Sequence, residues 1–224
     1  MNVRSIKKRI LDILFPQHLK CHSCGREAAV NGYGICADCE AKLLFAANAG
    51  NIEGVDGFTA GLQYNDVARR ALRSFKYHGA LYKKEFLTHH IHIPEDWEID
   101  CIVPVPLHID RLKRRGYNQS KVLADELVKR YDIPVREDLL SRIRNTPMQA
   151  RMNRQQRMKN VKNAFSASPE CKGLSIALLD DMRTTGSTLK ECALELKKHG
   201  AAKVYAITAC CSMEEVINSE RNSI

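Results

Sequence analysis

The chain has 224 residues, enough for one α/β domain with a small appendage and too few for two full domains. Hydrophobic residues make up 44%, which argues against a disordered chain, and no run of about 18 apolar residues exists to span a membrane. The net charge of +9 is carried by residues 101–163, where 15 Lys+Arg face 6 Asp+Glu, while the remainder holds 20 of each; so local an excess points to a phosphorylated small molecule, a nucleic acid or both.

Residues 1–20 read as a basic amphipathic helix with Ile6, Ile10, Ile13 and Leu14 as its apolar stripe. The apolar run at 10–15 is broken by Asp12 and is too short for a signal-peptide core, so the expected location is the cytoplasm. Nine cysteines, an odd number without a secretion signal, argue against a disulfide framework. Cys21-His22-Ser23-Cys24 and Cys36-Ala37-Asp38-Cys39 form two knuckles around the turn Asn31-Gly32-Tyr33-Gly34. Two such pairs predict a closed tetrahedral four-cysteine zinc site of structural kind; a redox dithiol is the competing reading. Cys101, Cys171, Cys192, Cys210 and Cys211 read as buried small hydrophobes, and His89, His90 and His92 as surface histidines.

Further along, residues 40–47 suggest a short helix and 48–54 a linker, dividing a module at 1–50 from a domain at 55–224. Strands are expected at 58–64, 99–105, 174–179 and 203–209. Helices are expected after the N-cap Asn65 as far as Gly79, at 118–131, and at 188–199 before Gly200. That alternation implies a mostly parallel sheet flanked by helices. Residues 142–163, basic and poor in large apolar side chains, read as a mobile loop or an exposed helix.

The sharpest signal is Leu178-Leu179-Asp180-Asp181-Met182-Arg183-Thr184-Thr185-Gly186-Ser187-Thr188-Leu189. An apolar strand meets two carboxylates, then a Thr/Gly/Ser turn, then a new helix. Ligands of open α/β sheets bind beyond the carboxyl ends of the strands. Asp180 and Asp181 offer acceptors there for sugar hydroxyls or a hydrated Mg²⁺. The turn supplies hydroxyls, close approach at Gly186, and the helix N-terminus, a set suited to a phosphate monoester.

This segment resembles the phosphoribosyl pyrophosphate (PRPP) motif of type I phosphoribosyltransferases. The wider chain resembles the ComF (competence protein F) family, through Leu14-Phe15-Pro16, the cysteine knuckles, the Lys76 region, Val103-Pro104-Val105-Pro106-Leu107-His108, Arg111, Arg115-Gly116-Tyr117-Asn118-Gln119-Ser120, Gln149, Arg157, Asn160-Val161 and Ala164-Phe165. Met182 departs from the usual β-branched residue, with altered packing expected and no lost role. The resemblance implies a type I phosphoribosyltransferase fold with a small N-terminal four-cysteine zinc finger. It implies that Asp180 and Asp181 bind the ribose hydroxyls and that Thr184, Thr185, Gly186, Ser187 and Thr188 hold the 5′-phosphate. Arg111, Arg114 and Arg115 would be charge partners of the pyrophosphate, with Gly116 permitting the turn and Mg²⁺ bridging pyrophosphate and ribose.

The resemblance also implies a role in natural transformation, handling incoming single-stranded DNA in the cytoplasm. Arg151, Arg154, Arg157 and Lys159 are the candidate strand-binding residues. Competence or recombination proteins are candidate partners for the zinc module. Two alternatives stand beside this reading: an active glycosyltransferase passing phosphoribose from PRPP to a nucleobase or amine, and a non-catalytic PRPP-sensing interaction module.

Overall fold

A computed structural model describes residues 20–46, 50–146 and 159–212. The helix expected at 1–20, Lys20 apart, lies outside them, as do Arg151, Arg154 and Arg157 and the middle of the basic segment. Six helices and six strands follow one another among the described residues. They are α1 (Ala37–Glu40), β1 (Gly57–Gln63), α2 (Asp66–Tyr77), α3 (Lys84–His89), β2 (Cys101–Pro104), α4 (Ile109–Arg115), α5 (Gln119–Tyr131), β3 (Leu140–Arg142), β4 (Phe165–Ala167), β5 (Ser175–Arg183), α6 (Ser187–Lys198) and β6 (Lys203–Cys211). No described helix is long and apolar enough to cross a membrane.

Four strands form one parallel sheet in the order β1-β6-β5-β2. Its central strands are apolar on both faces, as a sheet covered twice requires. The side-chain period of two sorts them. Ala177 and Leu179 of β5, with Tyr205 and Ile207 of β6, join the core beneath α2, α3 and α5, where Phe75, Phe86, Leu123 and Leu127 are buried. Ile176 and Leu178, with Val204 and Ala206, join the opposite core beneath α6 and its Leu189, Ala193 and Leu196. Each fully buried Leu or Phe contributes roughly 1.5–3 kcal/mol, so both layers hold the sheet. Cys101, Cys171, Cys192 and Cys210 are buried in these layers, and Cys211 in a small cluster with Ala46 and Ala60. Asn65 caps α2, its side-chain oxygen accepting from the N–H groups of Val67 (3.0 Å) and Ala68 (3.1 Å).

Three elements differ from the sequence expectation. The helix expected at 40–47 ends at Glu40, and the next residues form an extended strap. Phe45 bridges Leu62 antiparallel, and the Gln63 N–H donates to the Leu44 carbonyl at 2.8 Å. An uncovered edge strand leaves a row of backbone groups unpaired, and this strap occupies the free edge of β1. The strand expected to stop at residue 179 runs on to Arg183, with Asp180 paired to Thr208 and Met182 to Cys210. The twin aspartates therefore sit inside the strand rather than past its end. Finally, the expected linker contributes Ile52 to the α6-side core.

The cysteine knuckles share a hydrophobic cluster with the sheet: Cys21, Ile35, Cys36, Cys39 and Leu43 pack in the same core as Leu62, Val67 and Phe75. Ser23 Oγ donates to the Val67 carbonyl at 2.9 Å. Tyr33 stacks on His89 with ring centroids 4.0 Å apart and meets His90 edge-on at 5.3 Å. His89 and His92 are exposed and His90 half-buried, burial pushing His90 down to about 4.

Candidate functional site

The four sulfurs of Cys21, Cys24, Cys36 and Cys39 lie within 4.8 Å of one another. Cys24 and Cys36 Sγ are 3.9 Å apart, close to the edge of a tetrahedron whose Zn–S bonds are about 2.3 Å. Such a cluster can hold a zinc ion. The local chain builds it by turn geometry. Asn31 Oδ1 accepts from the Ile35 N–H at 2.9 Å, and Gly34 takes a left-handed φ of 86°. A Cβ on Gly34 would fall 2.1 Å from the His22 ring, so only glycine fits there. Without a cation four adjacent thiols cannot all ionise. Burial disfavours the thiolate of Cys24, yet hydrogen bonds from the Arg26 backbone and side chain draw it down to about 6. Burial and the sulfurs of Cys24 and Cys21 push Cys39 up to about 12.

The second site is a cavity of about 830 Å³ at the carboxyl edge of β2 and β5. Asp181 shares the parity of Ala177 and Leu179, so it faces α2, and Lys76 Nζ lies 2.9 Å from its Oδ2. Burial opposes the charge on Lys76, but the Asp181 and Asp180 carboxylates outweigh it and raise its pKa. Asp180 has the opposite parity. Its Oδ1 accepts from Ser120 Oγ at 3.0 Å and from the Asp181 N–H at 2.8 Å. Burial first, and the neighbouring Asp181 charge second, push Asp180 up to about 7. One carboxylate is thus paired to a lysine and the other is held in the cavity by a hydroxyl and an amide.

Opposite them, Gly186 with φ 73° caps the N-terminus of α6. Thr185 Oγ1 and Ser187 Oγ are 2.7 Å apart. Thr184, Thr185, Gly186, Ser187 and Thr188 all line the cavity. The first turn of a helix leaves N–H groups without intrahelical partners, so this turn presents donors and the positive end of a dipole. Ile52 backs the turn, 3.4 Å from the place a Cβ on Gly186 would occupy.

The third wall is cationic. Arg111, Arg114 and Arg115 come from α4, which Gly116 ends with φ 84°. Arg115 lies over the Tyr77 ring at 5.4 Å and bonds to Gln119 Oε1. Arg111 donates to the Thr146 carbonyl, and Arg142 Nη2 to Thr146 Oγ1 at 2.6 Å. Burial, then the neighbouring guanidiniums, lowers the pKa of Arg111; burial, then Arg111, lowers that of Arg142.

The structure thus brings Asp180, the residues at 184–188, Arg111, Arg114 and Arg115 to one cavity, while Asp181 is buried against Lys76 behind its wall and Gly116 shapes the helix, neither of them lining it. Arg142 joins the site from β3, and Ser120 joins it through its hydrogen bond to Asp180. The sequence signal for Ser120 is its place in the Arg115–Ser120 stretch, just after the N-cap Asn118, and for Arg142 its place at the start of the basic segment 142–163. Of the strand-binding candidates only Lys159 is described, and it is exposed.

Residues 109–222 match the phosphoribosyl transferase domain family. Competence protein F of Haemophilus influenzae is 38% identical over 120 residues, covering 52% of this chain and 50% of that protein. DNA utilization protein YhgH of Salmonella typhi is 38% identical over 111 residues, covering 50% and 49%. Competence protein ComFC of Bacillus subtilis is 29% identical over 203 residues, covering 84% and 76%. The match spans about half the length of the first two relatives.

Proposed function

We propose a function from the premise that this chain belongs to the phosphoribosyl transferase domain family, and within it to the ComF proteins, with a type I phosphoribosyltransferase fold and a cysteine cluster able to hold zinc. The cavity binds PRPP. Asp180 and Asp181 take the ribose hydroxyls, and Thr184, Thr185, Gly186, Ser187 and Thr188 take the 5′-phosphate. Arg111, Arg114 and Arg115, with Arg142 added, take the pyrophosphate, Gly116 ending the helix that aims them.

The observation that carries this reading is the unequal treatment of the two aspartates. Lys76 neutralises Asp181, while Asp180 stays in the cavity as a carboxylate whose ionisation awaits donors. A sugar with vicinal hydroxyls supplies such donors, and a phosphate monoester completes the turn at α6. The donor chemistry also fits Mg²⁺, a hard cation for which Asp180 offers an oxygen ligand directly or through water. When bound, Mg²⁺ supplies positive charge to the departing pyrophosphate. The chain's own arginines would hold that leaving group, preorganised along one wall of the cavity.

The reaction this site supports is displacement of pyrophosphate from the anomeric carbon by an acceptor. The names of the relatives, together with the positive charge of residues 101–163, support a role in the cytoplasmic handling of single-stranded DNA during uptake. The zinc site holds the knuckles in shape and offers a docking face for competence proteins.

Calorimetry with PRPP and Mg²⁺ tests the first claim. A saturable heat that is lost in the Asp180→Asn, Asp181→Asn double variant is expected, and no heat with the wild-type chain rejects the reading. Single-stranded DNA binding should weaken steeply with salt, and the slope should flatten after neutralising Arg151, Arg154 and Arg157. An unchanged slope rejects that strand-binding site.

A further inference from the structure

A zinc ion held by four thiolates carries a net charge of −2, and a charge of that size inside a fold calls for a counter-ion. Arg26 reaches the Cys24 sulfur, but its side chain is exposed and Asp38 sits 2.9 Å from its Nη2. Solvent and that carboxylate screen most of its charge. A second cation near the cluster is Lys83, the last residue of the short turn Leu81–Lys83 ahead of α3. It is only 7% exposed, and a lysine is almost never so buried without a partner. Its Nζ donates to Ser74 Oγ at 2.5 Å, and that hydroxyl can pass its own proton bond to the Arg70 or Ala71 carbonyl, each at 3.0 Å. Among the described residues Lys83 forms no ion pair with a carboxylate. Burial pushes its pKa down, and the Cys21 sulfur is the charged group that opposes the shift. Neighbouring contacts fix the arrangement. Tyr82 meets the His22 ring edge-on with centroids 4.9 Å apart, and Ser23 Oγ donates to the Val67 carbonyl at 2.9 Å. Val67 and Ser74 lie about two turns apart on one face of α2, so the knuckle and the lysine pack against the same helix face.

We propose that Lys83 is the buried counter-ion of the zinc tetrathiolate, a positioning residue that acts on the metal through the Cys21 sulfur and is itself held in place by Ser74. This role rests on the zinc reading of the cysteine cluster and is independent of the PRPP reading. An ammonium has three N–H donors, and Ser74 takes one of them. The others remain for the anionic cluster. With the four cysteines as neutral thiols, Lys83 is a buried charge answered by a hydroxyl alone, which is costly. With the metal bound, the same charge faces an anion in a low-dielectric surrounding, where the attraction is strongest. Lys83 therefore disfavours the empty site and favours the filled one. Both effects raise metal affinity. An apolar side chain at this place would do the reverse, easing the metal-free fold and loosening the ion. Arg26, exposed and paired to Asp38, cannot act in this way from the solvent side.

The test uses the full chain, with zinc retention measured against a competing chelator. Lys83→Met should weaken retention roughly tenfold, the scale of losing an outer partner of a metal ligand. Lys84→Met is the control, since Lys84 pairs with Glu126 at 3.1 Å, and it should stay within about twofold. With Co²⁺ loaded in place of zinc, the sulfur-to-metal charge-transfer band of Lys83→Met should move to longer wavelength, because a thiolate without a nearby cation gives up its electrons more easily. Thermal scans with and without chelator separate a counter-ion from a prop. Lys83→Met should shrink the gain in Tm that zinc gives, whereas a prop would lower both forms equally. Should Lys83→Met not fold, Ser74→Ala keeps the charge and removes its anchor, and retention should fall by about threefold with the band moving the same way. Unchanged retention with an unmoved band, or equal Tm losses in the two forms, overturns the role of Lys83 and leaves the zinc reading standing. If the wild-type chain retains no zinc, both fall.

Discussion

The cysteine module and the carboxyl edge of the sheet solve one problem in opposite ways. Each gathers groups that repel one another when ionised. The four thiols sit within 4.8 Å, buried or nearly so, a set that can close a full shell around a zinc ion. The two aspartates are split, one closed by Lys76 and one facing an open cavity of about 830 Å³. A closed cluster stabilises; an open one is left for a ligand to complete.

The largest effect should come from breaking the closed site. Its sulfurs share a core with Phe75 and Leu62, so loss of metal reaches the sheet. Structural zinc contributes on the order of 10 kcal/mol to small sites. Chelation, or Cys36→Ser, should lower Tm by more than about 10 °C. A calorimetric trace in which the main transition stays put would separate the two regions.

Next comes the pair at the open site. Asp181→Asn strands the Lys76 charge, which costs roughly 3 kcal/mol. Lys76→Met in the same chain should recover part of that loss, and urea titration of the singles and the double measures the coupling. Additive losses would mean that the lysine and the carboxylate do not act as a pair.

The third prediction concerns pH. In the folded apo chain Asp180 keeps its proton up to about pH 7, whereas its ordinary value is 3.8. The folded state therefore binds more protons between these values. Stability linked to Asp180 is full below about pH 4 and is lost as pH rises to about 7. Asp180→Asn should remove that decline, so thermal scans at pH 5 and pH 8 should converge in the variant. PRPP with Mg²⁺ should release a proton on binding near pH 7, seen as a buffer-dependent heat.

The smallest effect on stability should follow Gly186→Ala. A left-handed φ of 73° costs a residue with a Cβ about 1–2 kcal/mol. The same change moves the phosphate turn, so PRPP affinity should fall by more than stability does. Equal losses in the two measurements would mean that the turn only caps α6.

The elements with strong periodicity were legible from the chain alone. Asn65 and Asn118 marked two helix starts, and the apolar runs at residues 99–105 and 174–179 marked buried strands. The end of β5 was not legible, because two adjacent carboxylates read locally as a strand terminus. They stay in the sheet because β6 pairs on either side of Asp181, Thr208 with Asp180 and Cys210 with Met182, and because Lys76 offsets one charge. Residues 40–47 read as a helix by their apolar content. The free edge of β1 drew residues 44–46 into an extended strap, and that edge exists only once the sheet has formed.

The amino-acid order by itself determined the chemistry: which side chains are available, the knuckle spacing, and the run from apolar strand to hydroxyl-rich turn. These depend on neighbours within a dozen residues or so. The folded chain alone decided that Lys76 answers Asp181 and not Asp180, that Ser120 holds Asp180 and Arg142 lines the cavity, and that Arg73 and Tyr77 continue it into a groove. Those partnerships join residues up to about a hundred positions apart. Their geometry is set by strand parity and helix pitch after the two cores have closed on the sheet.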